Sequence, residues 1–537
     1  MVVLKNLNQQ LALFKAKVHR VLKNAFPDEY CQEFLKHNRK VWANWNREDP
    51  QGTILLYYSS GMPSVWISQS YFVNILAKKH NAAIVSFSST RKSFPGSLFY
   101  WARDQIYRSF NIRKFIVTTL DRSQALRKKE ILEGILGSIK TKKDVYDIRV
   151  DGIWMGVDIY ETYLRAFNKP TVDLKDPKLF ETIERAVEIL IFWQDYLKEN
   201  NVKAVIATHD AYIYENILCK LSYQKNIPVY LPNIKSICLA KKPYTIYDPL
   251  FRDYPKKFRK LSVAEQVQGL EIARRQLERR FKGEVGVDMP YSTKSAFQSS
   301  ENNTAVLRQS DKIKVLVCNH CFYDNPQAYG EMFFVDFYEW LHFLGKISEQ
   351  TDYDWYIKMH PDPLPGTEEI IQEIIAQYPK ITMIPAATSH IQLIKEGINF
   401  VLTAYGSVGH ELAALGVQVI NASYNPHYAY DFNWHPKDVM EYENLLKSLP
   451  RLKKDINRES VLEFYFMHYY YTGDDSLFLK SYRQYIEEMK KSGYPDTSIF
   501  KYFLETWSEE KHQDICAKFS KYIESGKTYY LSKGAEY

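Results

Sequence analysis

Asn399-Phe-Val-Leu-Thr403-Ala-Tyr405-Gly406-Ser407-Val-Gly409-His-Glu411-Leu-Ala-Ala-Leu-Gly416-Val-Gln-Val-Ile420 is the stretch that decides the fold. Its first five residues read as a buried strand, Tyr405-Gly406-Ser407 as a tight turn, and Val408 to Leu415 as a helix closed by Gly416. Val417 to Ile420 is then a second buried strand, so the unit is strand, helix, strand with parallel character. A helix opened by Gly406 and Ser407 presents unpaired N–H groups and a positive dipole end to an anion. Glu411 lies one turn on, on the same face, where a carboxylate accepts hydrogen bonds from a ribose diol. The plainer reading is a cap by Ser407 with Glu411 in solvent.

Upstream, Asp354-Trp-Tyr-Ile-Lys358 reads as another buried strand, and Met359-His360-Pro361 leaves its C-terminal end. His360 would donate to a phosphate oxygen, Lys358 would act as a point charge, and Pro361 fixes the turn that aims them. A polar Thr388-Ser389-His390 lies between the two strands. Lys312 to Val317 opens this alternating region, and Asn319-His320-Cys321-Phe-Tyr-Asp324 follows it as a strand-end loop. His320 and Asp324 either bind substrate or brace the loop. The candidate donor-binding set is therefore His320, Asp324, Lys358, His360, Ser389, Gly406, Ser407, Gly409 and Glu411, the arrangement expected of a nucleotide site in a parallel α/β unit.

The chain has 537 residues, too many for one core. Hydrophobic content of 45% and charged content of 25% suit a globular domain protein, and a net charge of +8 suits an anionic donor or a membrane surface. No Lys/Arg block is dense enough for a nucleic-acid groove, so no nucleic-acid partner is expected. The six cysteines are scattered, and Cys318-Asn-His320-Cys321 lacks a second pair at zinc spacing. Ordinary thiols in a reduced cytoplasm are expected, with no metal and no cofactor. Neither a signal peptide nor an apolar run of roughly 18–20 residues is visible, so the expectation is a soluble or peripheral protein.

Residues 1–50 read as a helical segment, with Leu4, Leu7, Leu11, Phe14, Val18 and Val21 as its apolar stripe. That helix either lies on an anionic inner membrane or docks on the next domain. Residues 51–282 alternate short apolar runs (Thr53–Tyr58, Ala82–Phe87, Lys114–Thr118, Ala204–Thr208) with helices at Ser68–Lys79, Leu98–Ser109 and Asp176–Glu199. This predicts a doubly wound parallel sheet. Ile227–Leu231 is a further strand weakened by Pro228. Val263 to Phe281 reads as an amphipathic helix, residues 283–311 as a polar linker, 312–435 as a second Rossmann-like domain, and 436–537 as C-terminal helices. The fold class is α/β, two Rossmann-like domains facing a cleft.

Two places offer a base to that cleft. His209 and Asp210 follow a strand and precede a helix, where Asp210 is also an N-cap candidate. Asp158 or Glu161 in Gly156–Arg165 would deprotonate a hydroxyl or pair with Arg165. Asp158, Asp210 and His209 are the catalytic candidates. Tyr58-Ser59-Ser60-Gly61 is a possible acceptor contact by position. The chain has no Gly-x-x-x-x-Gly-Lys-Ser/Thr, no Gly-x-Ser-x-Gly and no His-Glu-x-x-His, and Asp474-Asp475 reads as a solvated turn.

With Lys358-Met-His360-Pro361, Ser389 and Thr403 through Glu411 in this order, the chain resembles the bacterial capsule- and surface-polysaccharide glycosyltransferases of GT-B type. These include families with a His-Pro motif that use CMP-activated ulosonic acids. The resemblance implies a nucleotide-sugar donor in the C-terminal domain, a glycan or glycolipid acceptor in the N-terminal domain, and closing helices at the C-terminus. It also implies phosphate contacts from His360 and Ser407 and a ribose contact from Glu411. Sialyltransferase-like members carry an acidic pair before Gly, where this chain has only Val150-Asp151-Gly152. The expected activity is inverting, metal-independent transfer to a surface glycan or lipid-linked acceptor. Alternatives are a CDP-polyol phosphotransferase of the teichoic-acid type, a UDP-sugar epimerase, and a non-catalytic partner in polysaccharide assembly.

Overall fold

The computed structural model describes residues 26–45, 48–59, 62–89, 101–241, 251–289, 292–298, 304–330, 332–471, 476–493, 495–531 and 534–536. The stripe from Leu4 to Val21, Ser60-Gly61 and Asp474-Asp475 lie outside them.

The N-terminal half contributes strands β1 (Thr53–Tyr57), β2 (Ala83–Ser88), β3 (Ile112–Val117), β4 (Arg149–Val150), β5 (Ile153–Trp154), β6 (Val202–Ile206), β7 (Val229–Pro232) and β8 (Ser236–Ala240). The second half contributes β9 (Lys314–Cys318), β10 (Asp354–Lys358), β11 (Ile381–Ile384), β12 (Phe400–Thr403) and β13 (Gln418–Asn421). Two short strands, β14 (Tyr529–Leu531) and β15 (Gly534–Glu536), close the chain. Among the described residues they form sheets ordered β15-β14-β8-β7-β6-β1-β2-β3 and β11-β10-β9-β12-β13, plus the small hairpin β4-β5. Strands β1, β2, β3, β6 and β7 pair in parallel, as does the whole second sheet. The expected pair of Rossmann-like domains is present.

Burial on both faces explains the apolar runs: Ile54, Leu55 and Leu56, and likewise Val315, Leu316 and Val317, have almost no exposed surface. Helices start where the sequence offers caps. Asp176 accepts from Lys178 N ahead of Pro177–Glu199, and Ser262 and Glu265 form a capping box on Val263–Phe281.

Chain order reverses between β1 and β6 in one sheet and between β9 and β12 in the other. Loops leaving adjacent strands diverge at such a reversal and open a crevice at the carboxyl ends of the strands. The crevice of the first sheet faces the second domain, where His209 and Asp210 share a cavity with Asp324 and Asn325. The helix Gly156–Phe167 joins the two domains: Tyr160 Oη donates to Asp336 (2.6 Å), Gln327 N to Glu161 Oε1 (2.9 Å), and Arg165 pairs with Asp324 (3.2 Å). Lys142 adds a contact to Glu339 at 2.6 Å.

Residues 436–537 are more than helices. The helices Ile499–Thr506 and Glu509–Ser525 pack on Pro63–His80 of the first domain, with Phe500 stacked on Phe34 at 4.2 Å. β14 then covers the edge of β8. A three-residue strand is too short to show a period-two pattern, which is why Tyr529-Tyr-Leu531 reads as nothing in the sequence. Residues 292–298 are pinned to the second domain through Asp362, which accepts from Thr293 N (2.9 Å) and Lys294 N.

Candidate active site

Strands β9, β10 and β12 end side by side, so the residues following them meet at the second crevice. They enclose a cavity of about 190 Å³ walled by Asn319 and His320, Lys358 and His360, and Gly406 and Ser407. Glu411 closes one side, and Arg280 and His390 another.

Lys358 is 1% exposed, yet its Nζ has no hydrogen-bond partner; burial holds the ammonium below the ordinary lysine range. His390 Nδ1, Arg280 Nε and both polar atoms of the Asn319 side chain are likewise buried without a partner. Buried polar groups are nearly always satisfied, and five such atoms gather on this one cavity. Four of the five are donors or can be, which fits an anion.

His320 serves as a brace. Its Nε2 accepts from Ala404 N (3.2 Å) and lies 3.0 Å from Thr403 Oγ1, tying the end of β9 to that of β12. The ring stacks on Phe337 at 4.8 Å, and burial, with the nearby His360, pushes its pKa down to about 3. A neutral ring with Nε2 as acceptor carries its proton on Nδ1. His360 is exposed at the cavity mouth, its Nδ1 lying 3.1 Å from Asp362 N and 3.3 Å from Asp362 O. Gly406 is required by space: a Cβ there would sit 2.8 Å from Thr403 Oγ1.

The plainer reading of the helix start fails. Ser407 makes no side-chain capping bond, and Glu411 is buried and ion-paired with Arg280 rather than solvated. Glu411 still lines the cavity, with its negative charge offset by that guanidinium.

Other candidates stand elsewhere. Gly409 faces away from the cavity, against His427, whose Cε1 would be 2.4 Å from an added Cβ. Ser389 caps the helix His390–Lys395 and donates to Phe297 O (3.1 Å); its neighbour His390 reaches the cavity instead. Asp158, read as a possible base, is sealed in the core, with Asn216 at 2.8 Å and Lys220 at 2.5 Å on its two oxygens. Neither Asp158 nor Glu161 pairs with Arg165, whose partner is Asp324.

Asp324, His209 and Asp210 line a second cavity, about 550 Å³, between the domains. Tyr405 borders both cavities, its hydroxyl donating to Asn325 O at 3.0 Å. Asp210 is not the N-cap of Tyr212–Gln224; Ala211 is, without a side-chain bond, and Asp210 is buried. Sequence reading passed over Arg280, although it falls in register with the buried Ala273 and Leu277 of its helix, where a charge is out of place.

No protein-family model matches the chain, and no curated protein does. Among solved structures it is similar to the beta-Kdo 2,4 transferase KpsC of Thermosulfurimonas dismutans (12% identity, 50% of this chain and 79% of that one, TM-score 0.28). It is also similar to a glycosyltransferase from Rickettsia africae ESF-5 (13% identity, 85% and 99%, TM-score 0.24). A third is the wall teichoic acid polymerase TagF (12%, 96% and 98%, TM-score 0.18). Superpositions this loose carry no argument; the site stands on its own geometry.

Proposed function

We propose that the protein is a glycosyltransferase that moves a sugar from a nucleotide-activated donor, a CMP-ulosonic acid or a UDP-sugar, to a hydroxyl of a surface glycan or lipid-linked acceptor. The observation that carries this is the set of buried, unpartnered groups (Lys358 Nζ, Arg280 Nε, His390 Nδ1 and Asn319 Nδ2) on one cavity at the strand-order reversal. A phosphate would satisfy them together, and the same donors would stabilise the charge that grows on a departing phosphate. His360 and Ser407 would complete the phosphate contacts at the cavity mouth, with Glu411 toward the ribose. The larger cavity beyond Tyr405 has room for an acceptor, whose oxygen would attack the anomeric carbon from the face opposite the phosphate, giving inversion. The reaction belongs on the cytoplasmic side, where nucleotide sugars are made; among the described residues no helix is long and apolar enough to cross a membrane.

Thermal unfolding with CMP, CDP, UDP, CDP-glycerol and inorganic phosphate, together with mass-spectrometric detection of nucleotide released from CMP- and UDP-sugars, tests this reading. Saturable protection by CMP or UDP, with release of that nucleotide, supports it. Protection by CDP-glycerol alone would favour a polyol-phosphate transferase, and a UDP-sugar converted without nucleotide release an epimerase.

A further inference from the structure

We propose that His209 is the base that takes the acceptor proton and that Glu215 is the residue that positions it, an assignment that rests on the donor-site reading of the first cavity. His209 sits on the loop leaving β6, at the strand-order reversal of the first sheet, and lines the interdomain cavity. Its Nδ1 is buried, makes no hydrogen bond, and lies at ion-pair distance, 3.5 Å, from Glu215 Oε1, while the side chain as a whole is 42% exposed. The buried edge of the ring therefore faces the carboxylate, and the remainder faces the cavity.

Glu215 is itself fixed. Thr208 donates to it twice, from its backbone N (2.6 Å) and from its hydroxyl (2.7 Å), and the carboxylate is buried in the first turn of Tyr212–Gln224. Burial pushes its carboxyl upward, while His209 and the Thr208 donors pull the other way. A base beside a carboxylate that is itself held is an arrangement that can tighten into a hydrogen bond when substrate binds. Between the two, Tyr212 has φ +60, a left-handed conformation rare for a bulky residue, and its ring meets His209 at 5.6 Å. Strain of this kind persists where surrounding structure enforces a loop shape. Of the other candidate carboxylates, Asp158 is in its ion pair, Asp324 pairs with Arg165, and Asp210 is only 2% exposed.

In the step, the acceptor O–H bond breaks and its proton passes to His209 Nε2. The oxygen bonds to the anomeric carbon, and the carbon–oxygen bond to phosphate breaks with its electron pair leaving on the phosphate. The proton on His209 then returns to solvent.

The test uses the full chain with a CMP-activated ulosonic acid and UDP-N-acetylglucosamine as donor probes and water as the acceptor, reading nucleotide release from pH 5 to 9. Protection from thermal unfolding by CMP and UDP is measured in parallel. His209→Ala should lower release by about 10²–10⁴-fold with nucleotide protection retained. Glu215→Gln should lower turnover at least about tenfold without changing donor half-saturation, and Glu215→Asp should recover part of it. The rise of wild-type release with pH should vanish in His209→Ala, although Asp210, Arg165, Asp324 and the hydroxyls of Tyr212, Tyr329 and Tyr405 face the same cavity. If Glu215→Gln does not fold, His209→Ala and His209→Asn decide the matter. Release within about threefold of wild type in a nucleotide-protected His209→Ala protein overturns the assignment. Absence of any nucleotide protection in the wild type removes the donor site, and the assignment with it.

Discussion

Lys358 and His390 stand close enough on one cavity for the lysine charge to depress the imidazole, and neither Lys358 Nζ nor His390 Nδ1 has a hydrogen-bond partner. Burial is the larger influence on each. Such an arrangement costs stability, and an anion among these groups would offset it. Lys358→Met should therefore raise the unfolding free energy of the unliganded protein, by about 1–3 kcal/mol at neutral pH. A lysine depressed on folding penalises the folded state below its folded value, and the penalty fades as pH rises toward about 10.4. The gain from Lys358→Met, followed by urea unfolding, should shrink over that alkaline window.

Arg280 and Glu411 form a buried ion pair that ties the helix Val263–Phe281 to the helix after β12. Removing one partner strands the other in a dry wall. Glu411→Ala or Arg280→Ala should each cost about 3–5 kcal/mol, and the double substitution clearly less than the sum. Chemical unfolding of the three variants measures the coupling.

Glu161 sits at the domain interface with Oε1 on Gln327 N and Oε2 buried without a partner. Burial is the main cause raising its pKa to about 8. An acid raised on folding contributes stability that is full below its unfolded value near 4.3 and lost as pH climbs through 8. Wild-type stability should fall across that window by up to about 1.4 kcal/mol per pH unit. Glu161→Gln should flatten the slope, as read by urea titrations at several pH values.

Gly409 and Gly406 should respond differently to alanine. At Gly409 the added methyl meets the buried ring of His427, and the change should cost about 1–3 kcal/mol of stability. At Gly406 the methyl meets Thr403 Oγ1, which holds His320 and accepts from Gly406 N, so the loss should appear in nucleotide affinity as well. Paired thermal and binding curves separate the two.

Much of this was legible in the sequence because parallel strands buried on both faces are written as apolar runs. Asp354–Lys358 and the helix Val263–Phe281 fall where the sequence reading ends them. Legible too was the placing of His360, Gly406 and Ser407 on one cavity, since residues that follow parallel strands of one sheet share one end of it. Hidden were the contacts made across long separations. Arg280 reaches Glu411 over 131 positions, and nothing local in either segment announces it. Asp158 looked free because its partner Lys220 lies on another helix, 62 residues on. Glu215 was overlooked because a carboxylate in a helix reads as surface until burial is known. Ser389 drew attention as a hydroxyl beside the site, whereas its geometry is that of a helix cap presenting His390.

The central claim is that the cavity at the ends of β9, β10 and β12 binds a nucleotide phosphate through Lys358. Calorimetric titration of CMP, CDP, UDP and inorganic phosphate into the wild type and Lys358→Met measures it directly. The account predicts saturable binding of at least one nucleotide by the wild type, weakened about tenfold to a hundredfold in Lys358→Met even as that variant melts higher. Equal affinity in the two proteins, or no binding of any of these anions by the wild type, would contradict it.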